Sequence, residues 1–172
     1  YTSQDALNLS TAWTAQMHIL SFAGESVQLG APAVKSKTSS SRIEYRHLAG
    51  LTEWYENGVS GMEHGYTIAE RPKHLQPGEE VLLEIALYGL KARDHTTEDG
   101  AHQLDFSDGE RTVLSYSKLL VLDAQGKELL ATMRQSEAGF TLAYNDAQAT
   151  YPVTVDPLIV NEEAKLSRAL DA

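Results

Sequence analysis

Between Val81 and Tyr88 the chain alternates with period two: Val81, Leu83, Ile85 and Leu87 fall on one side, and Leu82, Glu84, Ala86 and Tyr88 on the other. Successive side chains of a strand point to opposite faces, whereas a helix needs apolar positions three and four apart, so this run reads as a β-strand. Apolar residues on both sides predict a central place in its sheet. Met62, His64, Tyr66 and Ile68 give a second run, Phe140, Leu142 and Tyr144 a third, and Ile43 with Tyr45 a fourth.

Turn signals separate these runs: Asn57-Gly58, Pro77-Gly78, Asp99-Gly100, Asp108-Gly109, Gln125-Gly126 and Ala138-Gly139. Glycine supplies the positive φ that tight hairpins require. Short alternating runs punctuated in this way predict an all-β fold, a mostly antiparallel β-sandwich of jelly-roll-like character with little helix. Residues 118–123, 127–134 and 140–144 read as a three-stranded meander. Residues 35–41, Lys-Ser-Lys-Thr-Ser-Ser-Ser, read as an exposed loop. Helical propensity is confined to residues 5–13 and 162–170. No internal repeat of the length that builds propellers or solenoids is visible.

A chain of 172 residues is long enough for one domain with a real core. The expected division is N-terminal strands and an exposed loop over 1–41 within the same domain, a sandwich core over 42–160, and a linker or lead-in to a following domain over 161–172. Two prolines, Pro152 and Pro157, frame the alternating stretch Val153-Thr154-Val155-Asp156 near the end, which reads as a domain exit. The first residues, Tyr1-Thr2-Ser3-Gln4-Asp5, lack an initiator methionine and a signal-peptide pattern, so the expectation is a segment of something longer.

Charge narrows the partners. The formal net charge is −10, from 24 acidic and 14 basic residues, which disfavours the phosphate backbone of nucleic acid and anionic membrane surfaces. No apolar run approaches the length needed to cross a bilayer as a helix. With no cysteine, disulfides, thiolate metal sites and cysteine nucleophiles are excluded.

Candidate chemistry is sparse. The six histidines, His18, His47, His64, His74, His95 and His102, include no HxH or HExxH pairing. His64 shares a strand face with Met62 and Tyr66 and reads as packed. His95 and His102 flank the acidic stretch 96–101, which reads as a solvated hairpin tip. Glu53 with Glu56, or Glu79 with Glu80, supplies paired carboxylates of the type glycosidases use, but spacing alone does not place them across a sugar. Asp94, Glu98, Asp99, Asp105 and Asp108 offer the hard oxygens calcium needs, without an EF-hand loop or glycine-aspartate nonapeptide. Acidic turn residues account for them with no metal, and no cofactor is expected. Ser39-Ser40-Ser41 lacks the nucleophile-elbow pattern, and no glycine-rich phosphate loop follows a strand. Trp54 and Tyr55 are the candidate ligand-binding residues: alternation aims them at opposite faces, and exposed rings of this kind stack on sugars, although a sandwich core also uses them.

Three stretches carry a resemblance: residues 50–58 (Gly-Leu-Thr-Glu-Trp-Tyr-Glu-Asn-Gly) running into 61–72 (Gly-Met-Glu-His-Gly-Tyr-Thr-Ile-Ala-Glu-Arg-Pro), residues 114–129, and residues 149–159 (Ala-Thr-Tyr-Pro-Val-Thr-Val-Asp-Pro-Leu-Ile). In this order they resemble the N-terminal β-rich region that precedes FG-GAP (integrin-α-like) propeller repeats in large secreted bacterial surface proteins. A looser likeness extends to the region ahead of SBBP-type propeller repeats. The resemblance spans residues 42–172 and carries no catalytic residues or calcium loops to transfer. It implies an exported, extracellular or cell-surface module concerned with architecture, adhesion or assembly.

The resulting expectation is a non-enzymatic structural or adhesive β-module. Its partners would be neighbouring domains of the same polypeptide or other subunits, with a cell-surface glycan or protein as a further class. The alternative is a carbohydrate-binding module using surface Trp54 or Tyr55. A hydrolase would require a pocket of converging carboxylates or histidines.

Overall fold

A computed structural model describes residues 13, 15–27, 34–37, 41–47, 50–58, 61–76, 78–109 and 111–161. The described chain is an all-β sandwich of thirteen strands in two antiparallel sheets, with no helix among these residues. The strands are β1 (Gln16–Phe22), β2 (Glu25–Ser26), β3 (Val34–Lys37), β4 (Arg42–Arg46), β5 (Leu51–Gly58), β6 (Gly61–Ile68) and β7 (Glu80–Tyr88). They continue as β8 (Lys91–Thr96), β9 (His102–Ser107), β10 (Thr112–Leu122), β11 (Ala131–Gln135), β12 (Gly139–Asn145) and β13 (Val153–Asn161). The smaller sheet runs β11-β12-β7-β1-β2 and the larger β3-β4-β5-β6-β13-β10-β9-β8.

The alternation at residues 81–88 places β7 at the middle of the five-stranded sheet, as predicted. Val81, Leu83, Ile85 and Leu87 face the core, while on the other side Leu82 and Tyr88 are exposed and only Ala86 is buried. Three aromatic rings join the sheets. Phe140 from β12 meets Phe106 and Tyr116 of β9 and β10 edge-on, with centroids 5.4 and 5.6 Å away, and Phe106 and Tyr116 meet each other at 4.9 Å. All three are fully buried, and edge-to-face pairs add to the stabilisation from area burial.

The meander expected over residues 118–144 is not a single sheet. β11 and β12 form a hairpin, but β10 belongs to the opposite sheet, and its backbone pairs with the following segment at the isolated bridge Leu122↔Glu128. The cause lies at Asp123. Its Oδ1 accepts the backbone N–H of Gln125 and Lys127, both at 2.9 Å, and its Oδ2 that of Thr150 at 3.1 Å. This turn releases the chain from β10, Leu129 buries itself between the layers, and by Leu130 the carbonyl already accepts from Asn145 of β12.

Two smaller expectations also change. Of the loop expected over residues 35–41, residues 35–37 belong instead to β3, which pairs with β4 at the end of the larger sheet, and 38–40 lie outside the described residues. Asn57-Gly58 is not the turn itself, because the β5–β6 ladder continues to Gly58↔Gly61. The N-terminal region contributes β1 to the smaller sheet, between β7 and β2. The helical readings at 5–13 and 162–170 lie outside the described residues, apart from Trp13, which is partly buried against the core.

Candidate functional site

The β5–β6 register decides where the chemistry collects. Leu51, Glu53 and Tyr55 stand opposite Ile68, Tyr66 and His64, so these six share one face of the sheet, and it is the face turned to the core. A carboxylate and an imidazole therefore enter an apolar interior together. A buried charge is tolerated only when paired and hydrogen-bonded.

Glu53 is satisfied from three directions. His64 Nε2 lies 3.0 Å from Oε1, the Tyr55 hydroxyl donates to Oε1 at 2.8 Å, and His47 Nε2 lies 3.1 Å from Oε2. The network continues through His64 Nδ1 to the Tyr116 hydroxyl at 3.1 Å, and that hydroxyl points at Met17 Sδ across the sandwich at 3.5 Å. His64 also stacks on Tyr55, with centroids 4.4 Å apart and planes 11° from parallel, and meets Tyr66 edge-on at 5.0 Å. The polar thread thus ties β1, β5, β6 and β10 to the His47 segment.

Electrostatics fix its protonation. Burial alone would raise the Glu53 pKa, but the bonds to His47, His64 and Tyr55 and the interaction with His64 outweigh it and hold the carboxyl at about 2. Burial, reinforced by the nearby Glu53 carboxylate, pushes the Tyr55 and Tyr116 phenols well above their ordinary range, and Tyr66 behaves alike. An anion this stable is a poor proton acceptor at neutral pH, and such phenols do not ionise there. The arrangement is suited to holding strands rather than to moving protons.

The sequence candidates are placed as follows. Trp54 and Tyr55 face opposite sides, as alternation requires, and are not brought together. Trp54 is on the outer face, 4% exposed, lying over Gly65 with the Arg42 guanidinium 4.3 Å from its ring centroid. Tyr55 is half-buried, with its hydroxyl occupied by Glu53. Glu56 takes Arg42 at 3.1 Å on the outer face, opposite in direction to Glu53, so the two carboxylates do not flank a common space. Glu79 accepts the Gln76 backbone N–H at 2.7 Å in a turn.

The acidic residues near the β8–β9 hairpin go to separate partners. Asp105 takes Ser115, Gln103 and His95, Asp108 takes Arg111, and Asp99 takes Thr97. Asp94 Oδ1 accepts the Gln135 backbone N–H at 3.0 Å, while Gln135 Oε1 accepts that of Asp94 at 3.1 Å, a reciprocal stitch between the outermost strands of the two sheets. Among the described residues, no three of the His, Asp and Glu side chains converge as a metal site would require.

A second feature is open to solvent. A groove of about 500 Å³ runs between β10 and β11, lined by His102, Ser117, Lys118, Leu119, Met133 and Arg134 among others. None of the Glu53 network lines it. His47, Tyr116 and this groove were not visible as sites in the sequence. The available signal for the network was a polar residue on an otherwise apolar strand face, present at both Glu53 and His64.

No protein-family model matches the chain, nor does any curated protein or solved structure.

Proposed function

We propose that this chain is a non-catalytic structural or adhesive β-module of a larger extracellular bacterial surface protein, acting through domain packing and strand-edge assembly. The observation that carries the reading is the contrast between the two polar features. The residues with catalytic potential, buried Glu53 and His64 and partly buried His47, are bonded to one another, whereas a groove of about 500 Å³ opens to solvent between β10 and β11. Unpaired strand edges are templates for another chain unless they are blocked, so an accessible edge is a natural assembly surface. The resemblance of residues 42–172 to regions that precede FG-GAP propeller repeats supports an exported, modular setting, with neighbouring domains or other subunits as partners.

Sedimentation velocity tests the reading. The chain is run alone at high concentration, then mixed with the modules that adjoin it in its parent polypeptide. Concentration-dependent self-association, or a complex with an adjoining module, is expected. A strictly monomeric chain that binds neither overturns the reading.

A further inference from the structure

We infer that the groove between β10 and β11 receives an extended, acidic peptide strand from a partner polypeptide. The inference rests on the module reading above and specifies the edge at which it operates.

Two strand edges face this groove. β10 stays paired with β13 as far as Leu122, but its ladder with β9 ends at Tyr116↔Leu104. Ser117 is the extra residue where the β10–β13 register shifts, and on the β9 side pairing resumes only near Leu129 N–H to Val121 and the Leu122↔Glu128 bridge. Residues 117–120 therefore present an open edge inside the larger sheet. Across the groove, β11 ends the smaller sheet. The Gln135 N–H points away from β12 to Asp94, and with period two the N–H groups of Ala131 and Met133 share that direction.

The lining sets the chemistry of the occupant. Leu119, Ala131 and Met133 give an apolar floor, and Lys118 and Arg134 bring cations to the rim of a chain whose net charge is −10. Their counter-charges are weak or absent: Lys118 lies 3.8 Å from Glu128, both ends being 60% exposed, and Arg134 has no ion pair among the described residues. Four residues of open edge span roughly 13 Å. A strand alternating apolar and acidic side chains would place its backbone on an open edge, its apolar side chains on the floor and its carboxylates at the rim. Pairing then supplies affinity, and charge supplies register and selection.

The test uses the whole chain, isotope-labelled for amide NMR, titrated with the blocked heptapeptide Thr-Val-Glu-Val-Glu-Val-Thr. Shifts concentrated at residues 117–120 and 131–134 are expected. They should weaken at least about tenfold in the Lys118→Glu, Arg134→Glu double variant, whose exposed positions leave folding intact, as its circular dichroism will report. A peptide N-methylated at alternate amides keeps its charge and should not bind. Absence of shifts, equal binding of the N-methylated peptide, or shifts produced by a sulfated oligosaccharide but not by the peptide would each overturn the inference. If the peptide fails while the chain still associates with its adjoining modules, the groove assignment falls and the module reading stands.

Discussion

The indole of Trp54 lies directly over Gly65, its partner across the β5–β6 ladder. A Cβ at position 65 would stand 2.9 Å from Trp54 Cε2 and 2.7 Å from the Val155 carbonyl oxygen. The second contact is with backbone and cannot be relieved by a rotamer change. Gly65→Ala is therefore expected to cost about 1–3 kcal/mol, a fall of several degrees in melting temperature on thermal denaturation. An unchanged melting temperature would show that β13 yields freely at this point.

Glu53 makes stability depend on acid. Its folded pKa of about 2 lies below the ordinary 4.5, so its contribution is complete above about pH 4.5 and is lost as the pH falls through about 2. The gap corresponds to about 3 kcal/mol at neutral pH. Glu53→Gln should lower stability at pH 7 by roughly that amount and flatten the stability curve across the acid window, as urea denaturation at stepped pH will show. Equal slopes in the two proteins would remove Glu53 from the account.

How much of this was legible follows from the length scale of each signal. β7, β6 and β12 were visible because alternation is local and the core face repeats every second residue. The division of residues 118–144 between two sheets was not, because it depends on Asp123 capturing the Thr150 N–H from 27 residues away. β3 was hidden for a related reason: Lys-Ser-Lys carries no apolar alternation, and its strand state comes from pairing with β4 at the end of the sheet. Glu53 and His64 were individually visible, but their meeting is a consequence of register, which no single strand encodes. The groove was invisible altogether, since it arises where two ladders stop.

Asp146 ties a loop to the sandwich. Its carboxylate is fully buried, accepts Arg71 in a fork at 2.7 and 3.1 Å, and also accepts the Tyr151 hydroxyl at 2.8 Å. Arg71 in turn donates to the Gln76 carbonyl at 2.9 Å, which draws the loop before β7 against this end. Asp146→Ala should cost about 2 kcal/mol and speed limited proteolysis within residues 71–79. Unaltered cleavage there would mean that the loop is held by other contacts.

Leu130 separates folding from association. With 81% of its surface exposed, Leu130→Ser should change stability by less than about 0.5 kcal/mol. The same change should weaken association with a partner module, because a large exposed apolar side chain beside the start of β11 would lose its contact. Paired melting and sedimentation measurements check both halves. Destabilisation without loss of association would reverse the assignment.

The proposed role is to lend an open strand edge to a neighbour. Amide hydrogen exchange on the whole chain, with and without the blocked heptapeptide Thr-Val-Glu-Val-Glu-Val-Thr, tests this most directly. New protection at the outward-facing amides within residues 117–120 and at Ala131 and Met133 is the predicted result. Exchange that is identical in the two samples at every strand edge would contradict it.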